Sequence, residues 1–101
     1  MKVLLVGRRR SVIDDVVGEL DAPAVDFSAA TSLDEARTVL ARTELDHVVL
    51  GGGLDLDTRL TIVRQVFESS ASTTVHMNSP SGPESFLPFV RSVLRGLTDS
   101  H

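Results

Sequence analysis

The stretch "DHVVLGGGLD", Asp46 to Asp55, decides the fold. Its "HVVL" segment (His47 to Leu50) is an apolar run ended by three glycines. Such a run reads as a strand at the centre of a sheet, covered on both faces. Working outward, "VLLV" (Val3 to Val6) has the same character and also ends in a glycine, Gly7. "AVDF" (Ala24 to Phe27) and "TTVHM" (Thr73 to Met77) alternate instead, so they read as edge strands. In the second of these, Thr73, Val75 and Met77 fall on one side and Thr74 and His76 on the other.

Helical spacing fills the intervals. Ser11 is placed to cap a first helix carrying Ile13, Val17 and Leu20, with Asp14 echoing a capping box. Asp21-Ala22-Pro23 stops it. A second helix starts near Thr31 or Ser32, with Glu35 as the reciprocal cap and Leu33, Ala36 and Leu40 as its stripe. Asp55 or Asp57 caps a third, whose apolar face is Leu56, Leu60, Val63 and Phe67. The last begins near Ser85 and carries Phe86, Val90, Leu94 and Leu97. Pro88 sits in its first turn, and Gly96 is its terminator.

Strand–helix alternation implies a parallel sheet with right-handed crossovers and helices on both faces. The fold class is therefore α/β, a three-layer, flavodoxin-like and Rossmann-like arrangement with about four parallel strands. The two apolar runs belong in the centre, which gives the order 2-1-3-4. Residues 1–98 read as one domain and 99–101 as a disordered tail. In such a sheet the ligand crevice lies beyond the carboxyl ends of strands 1 and 3. Gly7 to Arg10 and Gly51 to Gly53 fall there.

The chain has 101 residues, 42% of them hydrophobic and 24% charged, which is ordinary globular composition. It contains no Trp or Tyr and only four Phe, so aromatic platforms for single-stranded nucleic acid are not expected. The formal net charge of −4 argues against binding along a phosphate backbone. The absence of Cys excludes disulfides, zinc-thiolate sites and a thiol nucleophile, and fits a cytoplasmic location. "MKVLLVGRRR" opens like a signal peptide, but its apolar run is too short, and no segment approaches a membrane-spanning length.

These residues resemble a bacterial signalling family. "MKVLLVGRRRSVIDDVVGEL" looks like the first strand and helix of a response-regulator receiver domain, and "LDHVVLGGGLD" looks like its third strand. "SPSGPESFLPFVRSVLRGL" resembles its proline turn and last helix. A receiver holds magnesium with an acidic pair after strand 1; Gly7 and Arg8 stand in those places. Its phosphate-accepting aspartate ends strand 3, where this chain has Gly51, and its lysine precedes a proline, where this chain has Ser79. About one strand–helix unit is missing before the last helix. The resemblance thus implies a receiver-like scaffold without receiver chemistry: a pseudo-receiver with no catalytic residues, no metal, no cofactor and no enzymatic activity. More loosely, the chain resembles small bacterial proteins that pair a GGG turn with a His-bearing last strand and a Gly/Ser-rich loop.

Two functional readings stand beside each other. In one, the chain is a regulatory or protein-interaction module. Its uncovered last strand, with His76 the only titratable residue between Ser69 and Ser79, attracts another strand. A homodimer then forms through the last strand or the last helix, where Phe86 and Phe89 fall on different sides. In the other, Gly51, Gly52 and Gly53 cradle a small anion, phosphate or mononucleotide with backbone N–H groups. Arg8 and Arg9 would face them, and His76 and Ser79 would line the neighbouring loop. The glycines also read simply as a tight strand-to-helix turn, Asp55 and Asp57 as caps, and His47 as structural. A dinucleotide site is not expected, because "GRRRSV" offers one glycine where the fingerprint needs three.

Overall fold

The two apolar runs become strands with nearly every side chain inside. The computed structural model describes residues 1–79 and 85–99. Strand β1 (Lys2–Val6) buries Val3, Leu4, Leu5 and Val6 completely, and β3 (His47–Leu50) does the same with Val48, Val49 and Leu50. Each such side chain contributes about 1.5–3 kcal/mol relative to an exposed one. With β2 (Asp26–Ala30) and β4 (Thr74–Met77) they form a parallel sheet of order β2-β1-β3-β4. The α/β class and the strand order expected from the apolar runs are both present.

Helices cover both faces. Leu4, Val6, Val48 and Leu50 point towards α2 (Leu33–Arg42) and α3 (Leu56–Ser69), forming a core with Ala36, Ile62 and Val66. Val3, Leu5 and Val49 point the other way, towards α1 (Arg10–Leu20) and α4 (Phe86–Asp99), where Ile13, Val16, Phe86 and Val90 close a second core. The period-2 alternation of buried strands therefore divides the interior into two apolar layers.

Helix starts follow local chemistry only in part. At α2, Ser32 is the N-cap and its hydroxyl oxygen accepts the Glu35 amide at 3.2 Å. The Glu35 carboxylate reaches back to the Thr31 amide and hydroxyl, both at 2.7 Å. At α1 the expected Ser11 cap is not used. The helix begins two residues earlier, with Arg9 as N-cap and no side-chain capping bond. It ends at Asp21, whose φ of 45° and ψ of 58° are left-handed, a conformation Asp tolerates better than most residues.

Other expectations shift. The second strand starts two residues later than "AVDF", because the Val25 amide donates to the Ala22 carbonyl at 3.0 Å and closes a turn there. The pairing with β1 begins as the Asp26 amide donates to Met1 O at 2.8 Å. Gly96 does not end α4, which runs on to Asp99, so the expected tail at 99–101 lies outside the described residues except for Asp99 itself. Phe86 and Phe89 do not diverge; both pack on the same core.

The largest correction concerns α3. Its buried face is Arg59, Ile62 and Val66, not the expected Leu56–Leu60–Val63–Phe67 stripe. Leu56, Leu60 and Phe67 are 57%, 50% and 64% exposed, and only Val63 is partly buried against the core.

Candidate functional site

At the carboxyl edge of the sheet, Gly7 follows β1 and Gly51 follows β3, as the sequence places them. Their role is set by what lies above. A Cβ built on Gly51 would stand 3.4 Å from the Phe86 ring and 3.4 Å from the Val6 carbonyl oxygen. One built on Gly7 would stand 3.3 Å from Ile13 and 3.9 Å from the Phe86 ring. Phe86, at the first turn of α4, is 4% exposed and caps the space between the two strand ends. The glycines are seats for an aromatic ring.

That geometry bears on each candidate anion-binding residue. No glycine among the described residues has a positive φ, so the backbone lacks the alternation of right- and left-handed residues that turns successive amides towards one anion. The Gly51 amide donates to Val6 O at 2.8 Å, and the Gly7 amide to Ala30 O at 3.1 Å. Both extend the sheet ladder. Gly52 is half-buried and Gly53 exposed, with the Arg8 Cβ 3.7 Å from a Gly53 Cβ. Arg8 and Gly53 are thus together, while exposed Arg9 starts α1. Arg10 instead reaches across to Glu35 at 3.1 Å, linking the starts of α1 and α2. Ser79 is exposed beyond β4. Segment 80–84, including the proline turn of the resemblance, lies outside the described residues.

Two residues that sequence reading passed over organise this edge. The Asn78 amide donates to Leu50 O at 2.9 Å, and its side-chain amide donates to the Ser85 hydroxyl at 3.1 Å. Arg59, buried under α3, donates from Nη1 to Asn78 O at 3.0 Å. Its Nε is buried with no hydrogen-bond partner among the described residues. Together they lock the end of β4 to β3, α3 and the start of α4.

His76 stands apart from the glycines. It projects from β4 on the α1/α4 side, and its Nε2 lies 3.4 Å from Nδ1 of His47, the residue expected to be merely structural. The ring centroids are 5.5 Å apart and tilted by 48°. Burial, then the neighbouring His47, hold the His76 pKa below its usual 6.5, so the ring is neutral at neutral pH. Among the described residues no group of three or more His, Cys, Asp or Glu is arranged around a common point.

A depression of about 420 Å³ opens at the opposite, amino end of the sheet, between segments 40–45 and 69–73. The side chains of Ser70 and Thr73 within it are already engaged. The Thr73 hydroxyl donates to Leu45 O at 2.6 Å, and the Ser70 oxygen accepts the amides of Ser72 and Thr73 at 3.2 and 3.1 Å.

Two carboxylates at helix starts give the fold an acid limit. Hydrogen bonds from the Thr31 hydroxyl and amide, with Arg10 adding attraction, hold Glu35 below its usual 4.5. The Thr58 hydroxyl, donating to the Asp55 carboxylate, holds Asp55 below 3.8. Depressed folded-state values stabilise the fold above the unfolded values and lose that contribution as pH falls through the folded ones. Urea midpoints should therefore fall in two stages as pH drops: below about pH 6.5, where the unfolded chain protonates His76 more readily than the fold does, and more steeply below about pH 4.5 as these carboxylates protonate. Glu35→Gln should flatten part of that decline; an unchanged acid limb would refute the assignment.

No protein-family model matches the chain, and no curated protein matches it. Among the described residues, no helix is long and apolar enough to cross a membrane.

Proposed function

We propose that the chain is a non-phosphorylatable, receiver-like interaction module that works as a homodimer through the flank formed by α3 and β4. The observation that carries this reading is the apolar stripe of Leu56, Leu60 and Phe67, which α3 turns to solvent. At about 100° per residue these three and Val63 fall within about 60° of one another. They lie across the helix from Gln65, which accepts a hydrogen bond from Arg37 of α2 at 3.3 Å. The stripe therefore faces away from α2, towards the open edge of the sheet at β4. Met77, 44% exposed, extends it on the same face as Val75 and Leu50.

A second copy suits this flank by chemistry and symmetry. An uncovered edge strand needs a strand partner, and a large exposed apolar stripe needs an apolar cover. A single two-fold axis normal to the sheet makes both β4 strands and both α3 helices antiparallel neighbours. Leu56 then meets Phe67 of the second copy, and Leu60 meets Val63. Asp57 and Arg64, both exposed beside the stripe, come within reach of each other across the rim. This flank is where the strand–helix unit missing from the receiver pattern would pack.

The non-phosphorylatable part of the reading rests on the whole constellation: Gly7 and Arg8 for the acidic pair, Gly51 for the acceptor, and Ser79 for the lysine. Acetyl phosphate with magnesium should leave the intact mass unchanged; an added phosphoryl group would refute it. Light scattering at micromolar concentration tests the dimer. Twice the 10.9 kDa chain mass is expected, and a mass of one chain would overturn the reading.

A further inference from the structure

The structure assigns a metal-binding site that the rest of the molecule does not use: we propose that His47 Nδ1 and His76 Nε2 together bind one divalent transition-metal ion of the zinc class. The bite distance is the first argument. Two imidazole nitrogens at the usual zinc–nitrogen length and tetrahedral angle stand about 3.3–3.4 Å apart. Here the two nitrogens are 3.4 Å apart and already directed at each other, with the rings tilted by 48° so that one is not stacked flat on the other.

Backbone rigidity is the second argument. His47 pairs with Thr74 and Val49 with His76 in the β3–β4 register, so the two rings are diagonal neighbours on one sheet face. Both side chains rise from hydrogen-bonded strands, and neither needs a backbone movement to close on an ion. The two rings are half-buried, one on the edge strand β4 and one on its neighbour β3, which leaves open positions for water or another ligand.

The third argument is ligand chemistry. Neutral imidazole suits zinc, nickel and copper, whereas magnesium and calcium prefer hard oxygen donors. In the metal-free pair one ring nitrogen donates its proton to the other. An ion replaces that shared proton: His47 carries its proton on Nε2 and His76 carries its own on Nδ1. In that arrangement each ring directs a lone pair at the metal. The site stands on the single chain and does not depend on the dimer.

Calorimetric titration of the untagged full chain with zinc chloride tests the site, read together with imidazole nitrogen NMR. One ion per chain should bind with micromolar affinity, and the facing nitrogens of both rings should shift together, with the ring that donates in the metal-free pair changing tautomer so that both carry their protons on the far nitrogens. His47→Gln and His76→Gln should each weaken binding by at least about tenfold, since each removes half of the protein's donors. Magnesium at the same concentration should move neither ring. Zinc affinity unchanged in both variants, or a wild-type titration in which only one of the two rings responds, would overturn the proposal. The NMR arm uses the native chain, so it holds even where a variant folds poorly.

Discussion

Phe86→Ala should be the most damaging single truncation in the molecule, lowering folding free energy by about 3–5 kcal/mol. The corresponding fall in melting temperature is more than about 10 °C for a domain of this size. The ring is 4% exposed and sits over both strand-end glycines, so its removal opens a cavity above them. The complementary change tests the same contact from below. Gly51→Val puts methyl groups beyond a Cβ that already stands 3.4 Å from the Phe86 ring and from the Val6 carbonyl. Overpacking of this kind costs about 1–3 kcal/mol. With Phe86 already truncated, the valine should fill the cavity and cost less. A double-mutant cycle by urea denaturation should therefore give a coupling of at least about 0.5 kcal/mol between the two sites. Additive effects would mean that the glycines and the ring are independent, and that the triple glycine has another purpose.

The same contact explains why the glycines could be located from the sequence but not understood there. "HVVL" and "VLLV" announce central strands because burial on both faces leaves no polar position, and the order 2-1-3-4 follows from the alternating edges. Gly7 and Gly51 therefore fall at the carboxyl edge by topology alone. What stands above them depends on how α4 returns across the sheet, and no local pattern in "ESFLPF" encodes that return. Arg59 and Asn78 escaped for a related reason, since their bond joins α3 to the end of β4. The His47–His76 contact depends on a register that pairs His47 with Thr74, set by strand ends that sequence places only approximately. Ser11 failed as a cap because the first helix starts directly from the strand-end loop, and its hydroxyl falls within the first turn.

The buried face of α3 departs from its periodicity because burial there follows contacts with the sheet rather than amphipathicity alone. Two stripes compete on this helix: Arg59, Ile62 and Val66, and Leu56, Leu60, Val63 and Phe67. The second is the more apolar, so amphipathicity alone points it inward. The structure buries the first, charged residue included, and leaves the larger hydrophobes outside. The proposed dimer rests on that exposed stripe. Leu60→Asp combined with Phe67→Asp should therefore convert the dimer to a species of one chain mass. Because both side chains are half or more exposed in the single chain, its intrinsic stability should change by no more than about 1 kcal/mol for the two substitutions together. Under the proposed dimer, urea unfolding of the native chain should depend on protein concentration, and that dependence should vanish in the variant. Leu60→Asp with Phe67→Asp leaving the mass at two chains would remove α3 from the interface. Unfolding of the variant would place the stripe inside the domain after all, as its periodicity first implies. Separation of the chains with the fold intact is the result that only an external partner for α3 produces.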